Sequence, residues 1–443
     1  MAFFIERTMT THNTINHKKI LHLAGPMILA NISIPLLGMV DTAVIGHLDS
    51  AHYLGGVAVA SLIFSFLFWG FGFLRMATTG LIAQAHGEAN EKLSLKILQH
   101  SLILALCIAI GILLLQSPIS RLAFTIIDSS ELITKAAVTY YDIRIWSSPA
   151  ILINYVILGW LIGKSLTTQA LYLVLSVTIS NMILDLIFVN VFGMNVDGVA
   201  LASVIAEFIG LFVGIKLLMQ HGVGRALFSQ DHDTHLTDQN WFNLHGNIFI
   251  RSLCLIFSIA FFTAQGAKQG EIILAANAVL VNFIVLMAFV LDGFANAIEV
   301  IAGKAIGSKN KHQLRQGLIL TGVWTFSLAS LFSVSYSLFG SGLISLLTSI
   351  PEVVSIANQY LIWLIIMPVV AVWSFLFDGL FIGATRSVEM RNTMLFSTFI
   401  CYLPAWYLLQ GLQNHGLWFA LLIFFAARGI SQAFYLPKIL AFK

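Results

Sequence analysis

The chain has 443 residues, of which 58% are hydrophobic and only 10% charged, and its mean hydropathy is +0.90. Ordinary soluble domains carry about 25% charged residues, so a water-soluble fold is excluded and lipid is the main solvent. The formal net charge of +3 is too small to mark a nucleic-acid binder, and none of the expected partners is a nucleic acid.

The first eighteen residues are polar and lack an apolar core with a cleavage site, so no removable leader is expected. Residues 1–19 read as an N-terminal segment. Apolar stretches of about 20 residues or more then recur to the end of the chain. Twelve transmembrane helices are predicted, at about 20–46, 54–84, 95–116, 133–163, 168–193, 197–220, 242–267, 273–303, 314–340, 354–383, 390–412 and 415–437. They are numbered here as spans 1 to 12. The expected fold is an all-α integral membrane protein with an N-lobe at 20–220, a linker at 221–241, a C-lobe at 242–437 and a tail at 438–443.

Span 1 holds Asp41 within Pro35-Leu-Leu-Gly38-Met-Val-Asp41-Thr-Ala-Val-Ile-Gly46. A carboxylate at mid-membrane costs about 2.5–3.5 kcal/mol on insertion scales. Protonation or pairing with a cation lowers that cost, and those are the two acts an ion-coupled transporter performs. Pro35 removes a backbone donor, and Gly38 keeps the same face small, so a helix bend is expected beside the acid. The bland alternative is a helix-end hydrogen bond. Span 5 places Asn181 and Asp185 four residues apart, on one helical face, and span 6 does the same with Ser203 and Glu207. Asp41, Asn181, Asp185 and Ser203 would form an oxygen-rich group able to hold a proton or Na⁺. Spacing alone does not bring the three helices together, and Glu207 has a purely structural reading as a pairing residue.

The segment Gly159-Trp-Leu-Ile-Gly163-Lys164-Ser165 resembles a phosphate loop but has three residues between its glycines, where four are required. It reads as a helix end. With no hydrolase motif either, an enzyme is not expected, nor any cofactor beyond the coupling ion. The linker contains Asp231, His232, Asp233, His235 and Asp238, a composition that fits a solvated connector better than a metal site. Asp292 and Glu299 lie in span 8 and Asp378 in span 10. Asp292 and Asp378 are secondary polar candidates, with pairing to Arg75 or Arg144 as the competing reading. Cys107, Cys254 and Cys401 all fall inside spans, as three buried core residues would. Eighteen lysines and arginines fall on the side of the two chain ends, against Arg121, Lys135 and Lys268 on the other, which places both termini in the cytoplasm.

The chain also repeats itself at an offset of 220. Gly159 to Ser165 matches Gly379-Leu-Phe-Ile-Gly383-Ala-Thr385, and Ala85-His-Gly87-Glu-Ala-Asn90 matches Ala305-Ile-Gly307-Ser-Lys-Asn310. Two parallel copies in a membrane chain point to a two-lobed transporter with a pathway between the lobes. At the same offset the counterparts of Asp41, Asn181 and Asp185 are Phe261, Cys401 and Ala405, so the polar group is not duplicated.

Several of these stretches resemble a known family. Leu36-Leu-Gly-Met-Val-Asp41-Thr-Ala-Val-Ile-Gly-His-Leu-Asp49, Tyr53-Leu-Gly-Gly-Val-Ala-Val59, Phe73-Leu-Arg75-Met-Ala-Thr-Thr-Gly80, Leu291-Asp-Gly-Phe-Ala295 and Phe381-Ile-Gly-Ala-Thr-Arg386 resemble the DinF branch of the multidrug and toxic compound extrusion (MATE) family, over about 18–440. The resemblance implies two rocking six-helix bundles in a bacterial inner membrane. It implies efflux of small organic cations or other lipophilic toxic compounds in exchange for H⁺ or Na⁺, by a monomer surrounded by lipid. It makes Asp41 the principal coupling residue, with Asn181, Asp185 and the hydroxyl of Ser203 beside it. A second-lobe acidic site does not map securely onto Asp292 or Asp378. The competing reading is a flippase for a lipid-linked precursor. A pyrophosphate-linked lipid calls for several basic residues along the pathway, and only Arg75 and Arg144 fall within the predicted spans.

Overall fold

The computed structural model describes residues 15–45, 51–127, 130–226 and 238–441. Among these the chain is helical, and eleven helical stretches are long and apolar enough to cross a membrane. They are His17–Ile45, His52–Gly87, Glu91–Leu114, Glu131–Gly163, Thr167–Val191, Val196–Gln220, Trp241–Ala267, Glu271–Gly307, Lys311–Leu347, Pro351–Gly383 and Gln410–Leu440. These correspond to spans 1–10 and 12. Predicted span 11 is helical as well, running through Ser387–Leu395, a π-helical stretch Phe396–Tyr402 and Leu403–Leu408. Its start is diluted by Arg391, Asn392 and Thr393, so it is less apolar than the others. Residues 227–237, which hold most of the acidic and histidine residues of the linker, lie outside the described residues, as does the side chain of Asp238.

The repeat is visible atom by atom. Four non-glycine residues have a left-handed backbone at equivalent turns: Ala89 (φ 54°) and Lys309 (φ 53°), Ser165 (φ 65°) and Thr385 (φ 53°). Asn90 and Asn310 each cap the helix that follows, accepting from the backbone N–H of Leu93 at 3.0 Å and of Gln313 at 2.9 Å. The repeated Gly-x-x-x-Gly segments end spans 4 and 10. Each packs on the second helix of its own lobe: Gly159 and Gly163 on the backbone of Arg75 and Thr79, Gly379 and Gly383 on that of Ala295 and Glu299. Any side chain at these glycines would collide with a main chain, which is why small residues recur there.

The first helix of each lobe follows a different offset. The Thr167 hydroxyl donates to the His22 carbonyl at 3.3 Å, and the equivalent Ser387 hydroxyl accepts from Asn247 at 3.1 Å. Ser33 meets Thr178 at 3.4 Å, and Ser258 meets Thr398 at 3.5 Å. Spans 5 and 11 stay 220 apart while spans 1 and 7 are 225 apart. The counterpart of Asp41 is therefore Gly266, not Phe261.

The two lobes meet along the end of the bundle that carries both chain ends. There Gly87 abuts the backbone of Lys304, and Gly307 abuts that of Gln84, a reciprocal pair about the pseudo-two-fold axis. The Gln84 amide donates to the Gly383 carbonyl at 2.9 Å and to the Thr385 hydroxyl at 3.1 Å. Further in, Gly293 of span 8 receives Ile28 of span 1, and the Asn31 amide donates to the Phe289 carbonyl at 3.0 Å.

Candidate functional site

Span 1 is one helix from His17 to Ile45 with Pro26 and Pro35 inside it. Each proline lacks the N–H that would bond four residues back. For Pro26 the released carbonyl is that of His22, which Thr167 caps, so span 5 helps hold that bend site. The sequence reading named Pro35 and Gly38 but passed over Pro26.

Span 5 lines up Thr178, Asn181 and Asp185, all buried, along the face that meets spans 1 and 6. Thr178 faces Ser33 of span 1. With its amide oxygen turned to span 6, Asn181 accepts from the Ser203 hydroxyl and backbone N–H, each at 3.1 Å, and donates to Asp185 Oδ2 at 2.9 Å. The carboxyl groups of Asp41, half-buried, and Asp185, fully buried, lie within hydrogen-bonding reach of each other. Two carboxylate oxygens cannot share that contact unless a proton or a cation stands between them. The structure thus brings Asp41, Asn181, Asp185 and Ser203 together from three helices. Asp185 Oδ1 is buried and has no hydrogen-bond partner.

Glu207 turns away from that quartet. It accepts from the Asn154 amide of span 4 at 3.0 Å, and the same amide reaches the Glu207 backbone carbonyl at 3.1 Å. Arg144, at a break in span 4, feels the charges of Asp41, Asp185 and Glu207, yet its guanidinium lies over the rings of Phe64 and Tyr140. The sequence reading offered Arg144 as a partner of Asp292 or Asp378 and did not link it to these three acids. Its spacing of four from Tyr140 was the available signal.

Asp378 is not an open cation site. It accepts from Arg251, from Arg428 at 2.5 Å and from Gln432 at 2.6 Å. This corrects two expectations. Arg251 and Arg428 are buried in spans 7 and 12 rather than lying in loops, which leaves sixteen basic residues assigned to the side of the chain ends. Beside Arg75 and Arg144, the spans therefore also hold Arg251 and Arg428 as buried arginines, so the argument from scarce in-span arginines fails in its simple form. Two of the four are nevertheless committed to Asp378. Nor does Asp378 pair with Arg75 or Arg144. Arg75 instead donates to Asn296 at 2.9 Å, while Glu299 is buried and the Thr79 hydroxyl donates to the Arg75 carbonyl at 2.9 Å. Asp292 is half-buried within the field of Arg75, Arg251 and Arg428. Near Gly266, the counterpart of Asp41, stand neutral amides: Asn277 and Asn414 exchange hydrogen bonds of 2.8 Å, and the Trp418 indole donates to Asn277 at 2.8 Å. Among the described residues no group of three or more His, Cys, Asp or Glu side chains is arranged to hold a metal ion. Of the three cysteines, Cys254 is buried, Cys401 half-buried and Cys107 exposed on span 3, so only one fits the expected core role.

The family model described as MatE matches this chain twice, at residues 26–187 and 248–408. The chain belongs to the MatE family. This MatE protein is 42% identical to DNA damage-inducible protein F of Escherichia coli, over 98% of this chain and 94% of that one. It is 26% identical to the multidrug resistance protein NorM of Vibrio parahaemolyticus, covering 88% and 87% of the two chains. Its fold matches a solved outward-facing multidrug resistance MATE transporter of the MOP superfamily with a TM-score of 0.86, at 18% identity, over 96% of each chain. The two matched regions begin and end in corresponding spans of the two lobes, as the turn geometry requires.

Proposed function

We propose that this MatE protein is a secondary active antiporter that exports organic cations and other lipophilic toxic compounds in exchange for H⁺ or Na⁺. The observation that carries this reading is the Asp41–Asp185 pair, two carboxyl groups from different helices with a gap that a proton or a cation must fill. Asn181 and Ser203 supply further oxygens for Na⁺, or orient the carboxyls for a proton. The multidrug names of NorM and of the matching solved transporter support the substrate class. The protein works as a multi-pass monomer in the bacterial inner membrane, with both termini in the cytoplasm. It performs no enzymatic chemistry. In that orientation the lobes are in contact at the cytoplasmic end.

A change of ion at Asp41 alters what span 1 can bond to across span 5. Pro35 and Gly38 let the helix bend in response, because fewer backbone bonds resist there. Bending reshapes the N-lobe face and weakens the organic cation's hold, and by linkage the organic cation displaces the coupling ion to the same extent. The test is efflux of a fluorescent cation from proteoliposomes under separately imposed H⁺ and Na⁺ gradients. Asp41→Asn should insert normally and lose gradient-driven efflux, and Asp185→Asn should retain a reduced rate. Wild-type efflux by Asp41→Asn, or transport that survives collapse of both gradients, refutes the proposal.

A further inference from the structure

Arg144 sits where span 4 changes from the helix Glu131–Arg144 to the short 3₁₀ turn Ile145–Ser147. A 3₁₀ turn inside a long helix frees backbone groups, and the Ser147 hydroxyl caps the Arg144 carbonyl at 2.6 Å. The side chain emerges at this break. Its guanidinium is 5.3 Å from the Phe64 ring centre and 5.4 Å from that of Tyr140, and it donates to the Tyr140 hydroxyl. Both separations are within cation–π range.

The charges around it do not match that posture. Asp41 on span 1, Asp185 on span 5 and Glu207 on span 6 all act on Arg144 electrostatically, and Tyr140 and Tyr155 are the other titratable groups in its field. An arginine so placed would ordinarily form a two-pronged bond to a carboxylate. Among the described residues none of the ion pairs involves Arg144. Its Nε is buried without a hydrogen-bond partner, and so is Oδ1 of Asp185. A donor and an acceptor of opposite charge are thus both left unmatched while the guanidinium rests on two aromatic faces.

We infer that Arg144 is a tethered competitor of the transported cation, alternating between the Phe64–Tyr140 rings and the carboxyl groups of Asp41 and Asp185. The inference rests on the antiport reading and deepens it. When an organic cation occupies the acids, Arg144 stays on the rings. When the acids are vacated by both proton and organic cation, Arg144 takes them and keeps the charge in the lobe balanced. An internal cation of this kind lowers the affinity for monovalent organic cations and speeds their release. It makes Arg144 a determinant of specificity rather than a structural brace.

The experiment is equilibrium binding of tetraphenylphosphonium to the purified full-length protein at one pH and ionic strength. Arg144→Gln removes the competitor and should bind at least tenfold more tightly than wild type. Arg144→Lys keeps the charge and should stay close to wild type. Tyr140→Phe removes the hydroxyl that holds the guanidinium on the rings, so Arg144 shifts to the acids and binding should weaken several-fold. Because the two sites move affinity in opposite directions, loss of folded protein in one variant leaves the other decisive. Equal or weaker binding by Arg144→Gln, or tighter binding by Tyr140→Phe, overturns the inference while the antiport reading stands. No binding of tetraphenylphosphonium by wild type also overturns the inference, and the antiport reading is then judged by the efflux assay alone.

Discussion

Gly307→Ala should push the lobes apart at the end where they now touch. The new methyl carbon would lie 2.9 Å from the Gln84 carbonyl carbon and 3.1 Å from its Cα, with the carbonyl oxygen closer still. Carbon atoms rest at about 3.5–4.0 Å, so the span 2 and span 8 backbones must separate by most of an ångström. The obstacle is main chain, and no side-chain rotation relieves it. Overpacking of this kind costs about 1–3 kcal/mol. The cost falls only on the state in which the two helices are in contact, so the ratio of closed to open at this end should fall by about 5- to 150-fold. Gly87→Ala makes the reciprocal clash, 2.9 Å from both the carbonyl carbon and the Cα of Lys304, and should shift the ratio the same way. The double variant should shift it by less than the two effects combined, because one separation relieves both clashes. Gly246→Ala is the control, since a methyl there meets nothing within 4 Å. Spin labels on spans 2 and 8 at this end would report the distance distribution by pulsed electron paramagnetic resonance. An unchanged distribution in both Gly307→Ala and Gly87→Ala would show that this contact does not gate the lobes.

Asp378→Asn leaves Arg251 and Arg428 buried together without their shared carboxylate, and should destabilise the protein by about 3–5 kcal/mol; thermal melting in detergent measures it, and an unchanged melting temperature refutes the brace. Asp292→Asn, at a half-buried acid with no arginine in direct contact among the described residues, should cost clearly less in the same assay. A cysteine at position 232 should react with a membrane-impermeant reagent only after the cells are opened; reaction in intact cells would overturn the assigned orientation.

The N-lobe quartet was legible because helical spacing is local information. Asn181 and Asp185 had to share a face, and an intramembrane Asp41 needed a partner. The partners of Asp378 were not legible in the same way. Arg251 and Arg428 lie far from it in the chain, and a hydropathy average treats an arginine in a loop and an arginine bonded to a buried acid alike. The average also cannot tell Glu207 bonded to Asn154 from Glu207 facing Asp185, since both place it on span 6. The repeat offset held wherever turns and helix contacts constrain the backbone. It failed for the first helix of each lobe, because a connecting loop can change length without altering the packing on either side. Cys107 was misjudged for a related reason. In a membrane protein an apolar position says nothing about whether it faces protein or lipid.

That difference in connector length has a mechanical consequence. Equivalent points on the first and second helices are five residues further apart along the N-lobe chain than along the C-lobe chain. Span 7 ends at Ala267 and span 8 begins at Glu271, a short tether that couples the end of one helix to the start of the next. Span 1 ends at Ile45 and the next helix begins at Ala51. A helix that bends draws its far end along, and a taut connector would drag its neighbour with it. A bend in span 1 should therefore drag its neighbour less than the same bend in span 7 would, and a deletion of five residues between spans 1 and 2 is the change that would make the two lobes alike.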